Sequence, residues 1–306
     1  MQNEAASHHH DPTDGPAAVT SQNQRAERLR QLHQPATPLL LVNVWDVASA
    51  KAVASTGAPV IATSSAAMAW MLGGQDGSGV VHGGFFEMVA AISAAVAPLP
   101  VTVDIEAGFG TTPAQVAATV RKVVLAGAVG INLEDAVLPA GPGPKLFDID
   151  RQQVRLRAAR AAAQALGVAL VINARTDVYL AEQGEPAQRP ALAIERANAY
   201  VAAGADCVFI PGPRDAATLG QLVAGVHGPL NVLAVPGSPA PAELAELGVA
   251  RISLGSWPAR AALGLMQRIA QSVAATGSYG SLEGALSYPA SQMLLASESP
   301  GPLTPR

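Results

Sequence analysis

Apolar, β-prone runs recur along the chain at about residues 37–44 (TPLLLVNV), 58–63 (APVIAT), 100–105, 128–134 (AVGINLE), 168–174 (VALVINA), 206–210 (DCVFI), 230–235 (LNVLAV) and 249–254 (VARISL). Between them lie Ala- and Leu-rich stretches that predict helices near 47–56, 85–97, 113–126, 151–166, 190–203, 214–225, 240–247 and 257–275. The runs are too uniformly apolar to alternate, as expected of parallel strands buried on both faces. Eight such pairs in about 240 residues fit a (β/α)8 TIM barrel, for which ~250 residues is typical. A doubly wound open sheet is the competing arrangement, but it should carry a glycine-rich phosphate fingerprint, and the chain has none. Helix ends agree with the repeat. Thr112-Pro113 supplies a capping hydroxyl followed by a first-turn proline, and glycines at 57, 127, 167, 204 and 248 close helices ahead of the next strand.

Outside the repeat, 26–33 (AERLRQLH) reads as a short lead-in helix, so the barrel is expected over 25–277. Residues 1–24 are polar and rich in small and breaker residues and predict disorder. The adjacent His8, His9 and His10 in that tail make no defined metal site. Residues 278–306 form a helical C-terminal extension that loosens toward SPGPLTPR.

Composition narrows the function. Apolar residues make up 49% and charged residues 14%, which suits a large aliphatic core. No apolar run approaches the ~20 residues of a membrane span. The formal net charge of −4, without a basic block, argues against a nucleic-acid partner. The lone Cys207 rules out an intrachain disulfide and suits a reducing compartment, and no secretory signal precedes Arg25, so a cytoplasmic location is expected.

In such a barrel the chemistry gathers at the C-terminal strand ends. There the chain places Asn43 to Asp46, Thr63 to Ser65, Asp104 and Glu106, Asn132 to Asp135, Asn173 to Asp177, Asn231, and Ser253 to Ser256. Asp104 and Glu106 are two apart, which on a strand gives them one face. With Glu134 they form an all-oxygen set that favours Mg²⁺ or Mn²⁺ over zinc; capping of helices or pairing with arginines is the alternative for all three. Arg175 is suited to grip a carboxylate or phosphonate bidentately, or else forms a structural pair with Asp177 or Glu134. Asn173 would stand behind it, Asp135 reads as an outward or capping residue, and Asp177 as a cap for the turn that follows. Ser64 and Ser65 offer hydroxyls and strand-end N–H groups to a substrate carboxylate, with no histidine placed to make either a nucleophile. The glycine-rich stretch 73–84 lacks the Lys-Ser/Thr ending of a P-loop and reads as a mouth loop carrying Asp76, with His82 an ordinary loop residue. Residues 139–147 (PAGPGPKLF), with Lys145, have the composition of a flexible lid.

Several of these stretches together resemble the isocitrate lyase/phosphoenolpyruvate mutase superfamily. They are NVWD at 43–46, ATSSA at 62–66, LGGQDG at 72–77, DIEAGFG at 104–110, GINLED at 130–135 and NARTD at 173–177. The resemblance runs over about 38–277. It implies a Mg²⁺-dependent barrel enzyme that binds a 2-oxo or 2-hydroxy acid and stabilises an enolate. Asp104 would be the direct metal ligand, and Asp76, Glu106 and Glu134 would hold its waters. Ser64, Ser65, Trp45, Asn173 and Asn231 would contact substrate, and Asp76, Glu134 and Arg175 would serve the reaction. It also implies a homodimer or homotetramer that exchanges the last barrel helix. The chain lacks the Lys-Lys/Arg-Cys-Gly-His lid of isocitrate and methylisocitrate lyases and the Asn-Ser lid element of phosphonate mutases, and has Glu106 where many members carry Asp. The expectation is a divergent C–C lyase acting on a small 2-oxo or 2-hydroxy dicarboxylate, with phosphonate P–C chemistry and non-catalytic binding of a metal and an oxo acid as alternatives.

Overall fold

A computed structural model describes residues 16–35, 37–139 and 145–296. The eight strands are β1 (Leu39–Leu41), β2 (Ile61–Ala62), β3 (Val101–Asp104), β4 (Gly130–Glu134), β5 (Val171–Arg175), β6 (Cys207–Phe209), β7 (Leu230–Leu233) and β8 (Arg251–Ser253). All paired neighbours are parallel, in the order β1-β8-β7-β6-β5-β4-β3-β2. A single parallel bridge between Val44 and Thr63 joins the first and second strands. It rests on Val44 N–H to Ala62 O (2.8 Å) and Ser64 N–H to Val44 O (3.0 Å), and it brings the sheet round into a barrel.

The helices are α1 (Pro16–Gln31), α2 (Val47–Ala54), α3 (Ser65–Met71), α4 (Phe85–Ala95), α5 (Pro113–Leu125), α6 (Ile149–Gln164), α7 (Arg189–Ala202), α8 (Ala216–Gly225), α9 (Pro241–Glu246), α10 (Trp257–Thr276) and α11 (Tyr288–Leu295). Thr112 caps α5 as its sequence predicts, accepting from Gln115 N–H ahead of Pro113. Two helices depart from expectation. The first begins at Pro16, inside the stretch expected to be disordered to residue 24, because its polar side chains find distant partners. Gln22 donates to the Val124 and Ala128 carbonyls, and Asn23 bonds both Gly167 O and Ala169 N–H. The second, α3, was not predicted: its first five residues are all buried, so no polar face marks the helical period. His8, His9, His10 and residues 140–144 of the expected lid lie outside the described residues.

One end of the barrel is plugged. Ala26 and Leu29 of α1 pack with Leu39, Val60, Val129 and Val171, which stand at or just before the starts of their strands, and with Leu41 and Ala62 of the short first two strands. Leu29 comes so close to Gly130 that a Cβ there would lie 2.7 Å from its methyl, so the plug needs glycine at that position. The larger apolar cluster lies between strands and helices and is almost wholly aliphatic. With the N-terminal end filled, space for a ligand remains at the C-terminal strand ends.

Candidate active site

The third strand supplies the first acid. Asp104 closes β3, and its backbone N–H donates to Thr63 Oγ1 (3.0 Å). Its Oδ2 accepts from the Ser65 hydroxyl (2.8 Å) and Ser65 N–H (3.2 Å) at the start of α3. Ser64 is the N-cap of that helix, its Oγ accepting from Ala67 N–H at 3.4 Å. The two serines therefore have different roles. Ser65 spends its proton on Asp104, contrary to the expectation that its hydroxyl grips a substrate, and Ser64 keeps its O–H proton.

Asp104 and Glu106 do not meet through strand alternation. The strand stops at Asp104, and Glu106 adopts the left-handed conformation with φ +49°. Such a conformation costs a non-glycine residue about 1–2 kcal/mol. It is held by Gly108 N–H to Ile105 O (2.7 Å) and Glu134 N–H to Glu106 O (3.0 Å). Asp104 Oδ1 and Glu106 Oε2 are both buried and have no hydrogen-bond partner among the described residues. Burial, together with the nearby charges of Asp76 and Asp104, pushes the Glu106 carboxyl up to about 8. Asp76 reaches solvent from its loop, yet close packing and the Asp104 charge raise its carboxyl as well.

Arg175 lies across from Glu134 in the β4–β5 register. Its Nη1 meets Glu134 Oε2 at 2.8 Å, while Nε and Nη2 meet the Asp177 carboxylate at 2.5 and 2.8 Å. Both structural pairs weighed from sequence are therefore formed, and Asp177 orients the guanidinium instead of capping a turn. Burial raises the Glu134 carboxyl well above its ordinary range, opposed by Arg175. Burial would lower the Arg175 guanidinium, but Asp177 and Glu134 outweigh it and hold the group firmly charged.

Asp135 is fully buried, where sequence suggested a cap. It accepts from Thr176 Oγ1 (2.7 Å), Asp177 N–H (2.9 Å), Tyr200 Oη (2.7 Å) and Arg196 Nη1 (3.1 Å). Arg196 also donates to Phe147 O (2.9 Å), and Phe147 N–H returns to Asp135 O. One buried carboxylate thus fixes both the Asp177 backbone behind Arg175 and the base of the 139–147 loop.

Ser64, Ser65, Asp76, Asp104, Glu134, Arg175 and Asp177 line a two-lobed cavity over the strand ends, with Glu106 and Asp135 behind its wall. The inner lobe, about 220 Å³, is floored by Asn43, Asp104, Asn132 and Ser253. The outer lobe, about 190 Å³, lies against Glu134, Asp177, Leu138, Lys145 and Leu146. Ser65, Asp76, Arg175 and Leu180 border both. Three residues expected at substrate do not reach either lobe. Trp45 packs on the aliphatic core, Asn173 lies below the floor donating to Asn132 Oδ1 (2.9 Å), and Asn231 is tied to Ser253 Oγ (3.1 Å). Sequence reasoning missed Leu180, Phe209, Trp257 and Arg260, which border the inner lobe. For the last two a signal was present, since the start of a barrel helix lies at the mouth.

Among the described residues no three His, Cys, Asp or Glu side chains converge as a ready metal cage. Mg²⁺ does not require one: it keeps several waters and takes one or two carboxylates. The orphaned Asp104 and Glu106 oxygens, with no nitrogen or sulfur donor beside them, fit such a cation.

The chain is similar to known proteins over most of its length. The family model described as phosphoenolpyruvate phosphomutase matches residues 29–274. An uncharacterized protein of Mycobacterium tuberculosis (strain H37Rv) is 36% identical over 239 residues, 76% of this chain and 83% of its own. An oxaloacetate decarboxylase of Ectopseudomonas mendocina is 34% identical over 212 residues, 68% of this chain and 70% of its own. A solved phosphonopyruvate hydrolase, in complex with oxalate and Mg²⁺, superposes with a TM-score of 0.75 at 25% identity, covering 89% of this chain and 94% of that one. The chain belongs to the phosphoenolpyruvate phosphomutase family, within the isocitrate lyase/phosphoenolpyruvate mutase superfamily of enzymes.

Proposed function

We propose that this protein is a Mg²⁺-dependent lyase that cleaves a C–C bond of a small 2-oxo or 2-hydroxy dicarboxylic acid. The observation that carries the reading is the pair of buried, partnerless carboxylate oxygens, Asp104 Oδ1 and Glu106 Oε2, in a site whose guanidinium, Arg175, is held rigid by two acids. The relative named as an oxaloacetate decarboxylase and the Mg²⁺–oxalate complex of the phosphonopyruvate hydrolase support the substrate class and the cation.

Asp104 would hold Mg²⁺ directly, with Glu106, Glu134 and Asp76 taking its waters; Mn²⁺ suits the same oxygens. The cation would act as a Lewis acid on the substrate's carboxylate and adjacent oxygen. Ser65 keeps the Asp104 carboxylate aimed, and Ser64 Oγ–H is free to donate to the substrate carboxylate. Arg175 sets a fixed positive charge where negative charge grows as the C–C bond breaks toward an enolate, and it needs no reorganisation because Glu134 and Asp177 already orient it. Leu138, Lys145 and Leu146 would exclude water from the outer lobe.

The last barrel helix supports assembly as a homodimer or homotetramer exchanging that helix. Of the twenty residues of α10 only Ala259 is buried, while Leu263, Leu265 and Met266 stand in solvent. Light scattering should give a multiple of the chain mass that falls to the monomer in Leu263→Asp/Met266→Asp.

The activity test is incubation with Mg²⁺ and a panel of 2-oxo acids, malate-type acids and phosphonopyruvate, with products followed by NMR. Pyruvate or another oxo acid released from C–C substrates supports the proposal. Phosphate or phosphoenolpyruvate formed from phosphonopyruvate assigns P–C chemistry instead, and saturable binding without turnover on any member of the panel sinks the lyase reading.

A further inference from the structure

The inner lobe is bordered by a second arginine, on its solvent side, that the proposed chemistry leaves unused. Arg260, in the first turn of α10, borders the same lobe as Asn43, Asp104, Asn132 and Arg175. Its guanidinium carbon sits 4.1 Å from the Trp257 ring centroid, and among the described residues it has no hydrogen bond or ion pair from its side chain. Arg175, by contrast, is already paired with both Glu134 and Asp177. Stacking on an aromatic face holds the fork in place while leaving its in-plane N–H groups open, the presentation that suits bidentate capture of a carboxylate. Ser256 stands four residues earlier and so on the same side of the helix start. It borders the lobe too, and its side chain makes no capping bond.

Charge balance gives these donors a purpose. Asp76, Asp104, Glu134 and Asp177 already border the two lobes. A dicarboxylate adds two more negative charges. Its reacting end is matched by the cation site and Arg175, whereas its far end needs a cation of its own to enter so acidic a cavity. Lys145 belongs to the other lobe. We propose that Arg260, with the Ser256 hydroxyl, is the receptor for the distal carboxylate of the substrate and makes the inner lobe selective for dicarboxylates over monocarboxylates. This inference rests on the proposed reading of the site as one for 2-oxo or 2-hydroxy acids.

Malate and lactate test it, because they share the 2-hydroxy-carboxylate head and differ by the distal carboxylate. Calorimetric titration in saturating Mg²⁺ should show malate binding at least about tenfold tighter than lactate, the effect of a charge-assisted hydrogen-bonded pair. Arg260→Met, which keeps an apolar stem on Trp257, should bring the two ligands to within about twofold, and Arg260→Lys should restore part of the preference. Oxalate, which has no distal group, should bind wild type and Arg260→Met alike. Equal loss of lactate and malate in Arg260→Met, or a malate preference that survives there, overturns the inference. So does a preference abolished by Lys145→Met and kept in Arg260→Met. Failure of the underlying reading looks different: oxalate then shows no Mg²⁺-dependent binding even to wild type.

Discussion

Replacing Tyr200 by Phe removes one oxygen and tests whether the buried Asp135 network holds the site together. The ring is fully buried and remains in place, so apolar packing is preserved. What disappears is the hydroxyl that donates to Asp135 Oδ2 at 2.7 Å and accepts from Arg196 Nη1 at 3.1 Å. A hydrogen bond to a charged group contributes about 1.5–3 kcal/mol, and three donors to Asp135 survive, so the loss should be about 2 kcal/mol. For a chain of 306 residues that lowers Tm by about 3 °C, measurable by differential scanning calorimetry. Arg196→Met should cost more, since it leaves the buried carboxylate without a cation and releases Phe147 O at the base of the loop. A Tyr200→Phe protein that melts within about 1 °C of wild type refutes the idea that this hydroxyl is structurally coupled to Asp135.

Other outcomes follow from the same geometry. His33 is buried, and burial together with the Arg251 charge lowers its imidazole to about 4. The unfolded chain then binds the extra proton between about pH 6.5 and 4, so the His33 contribution to stability should fall by about 3 kcal/mol as pH drops through that window and be constant above it, against the opposite slope of the raised Glu106 carboxyl; the difference between thermal melts of wild type and His33→Leu against pH should show that contribution. Arg175→Lys keeps the charge but cannot serve Glu134 and both Asp177 oxygens at once, and kcat/KM on the best substrate should fall about 10²-fold or more, read by steady-state kinetics. Gly79, at φ +72°, packs so that a Cβ would lie 2.7–2.9 Å from the Leu138–Pro139 backbone. Gly79→Ala should therefore push the Asp76 loop away from Leu138 and Pro139 and weaken Mg²⁺-dependent oxalate binding in calorimetry, with little change in secondary structure by circular dichroism.

The barrel was legible because strands buried on both faces leave continuous apolar runs that end in polar residues, and DIE at 104–106 or NARTD at 173–177 mark such ends directly. Depth within the barrel was not legible. Asn173 is in register with Asn132 and donates to it, which leaves Asn173 below the floor while its partner borders the cavity. The left-handed turn at Glu106 was hidden for a related reason: alternation assumes the strand continues, and nothing local fixes where it stops. The extension of α1 to Pro16 depends on Gln22 and Asn23 bonding residues more than a hundred positions away, beyond any local pattern. Arg260 stood at a helix start, and so at the mouth, in the sequence, but that it borders the inner lobe depends on how the start of α10 packs against the cavity.

Asp104 is proposed to hold a divalent cation at the mouth of the third strand. Calorimetric titration of Mg²⁺ with oxalate into wild type and Asp104→Asn addresses it directly, because asparagine still accepts from Ser65 and removes only the charge. The expected result is saturable binding to wild type and a loss of about 10²-fold or more in the variant, with melting temperature unchanged or higher as one buried charge is removed. Undiminished Mg²⁺-dependent binding in a folded Asp104→Asn protein would contradict the assignment.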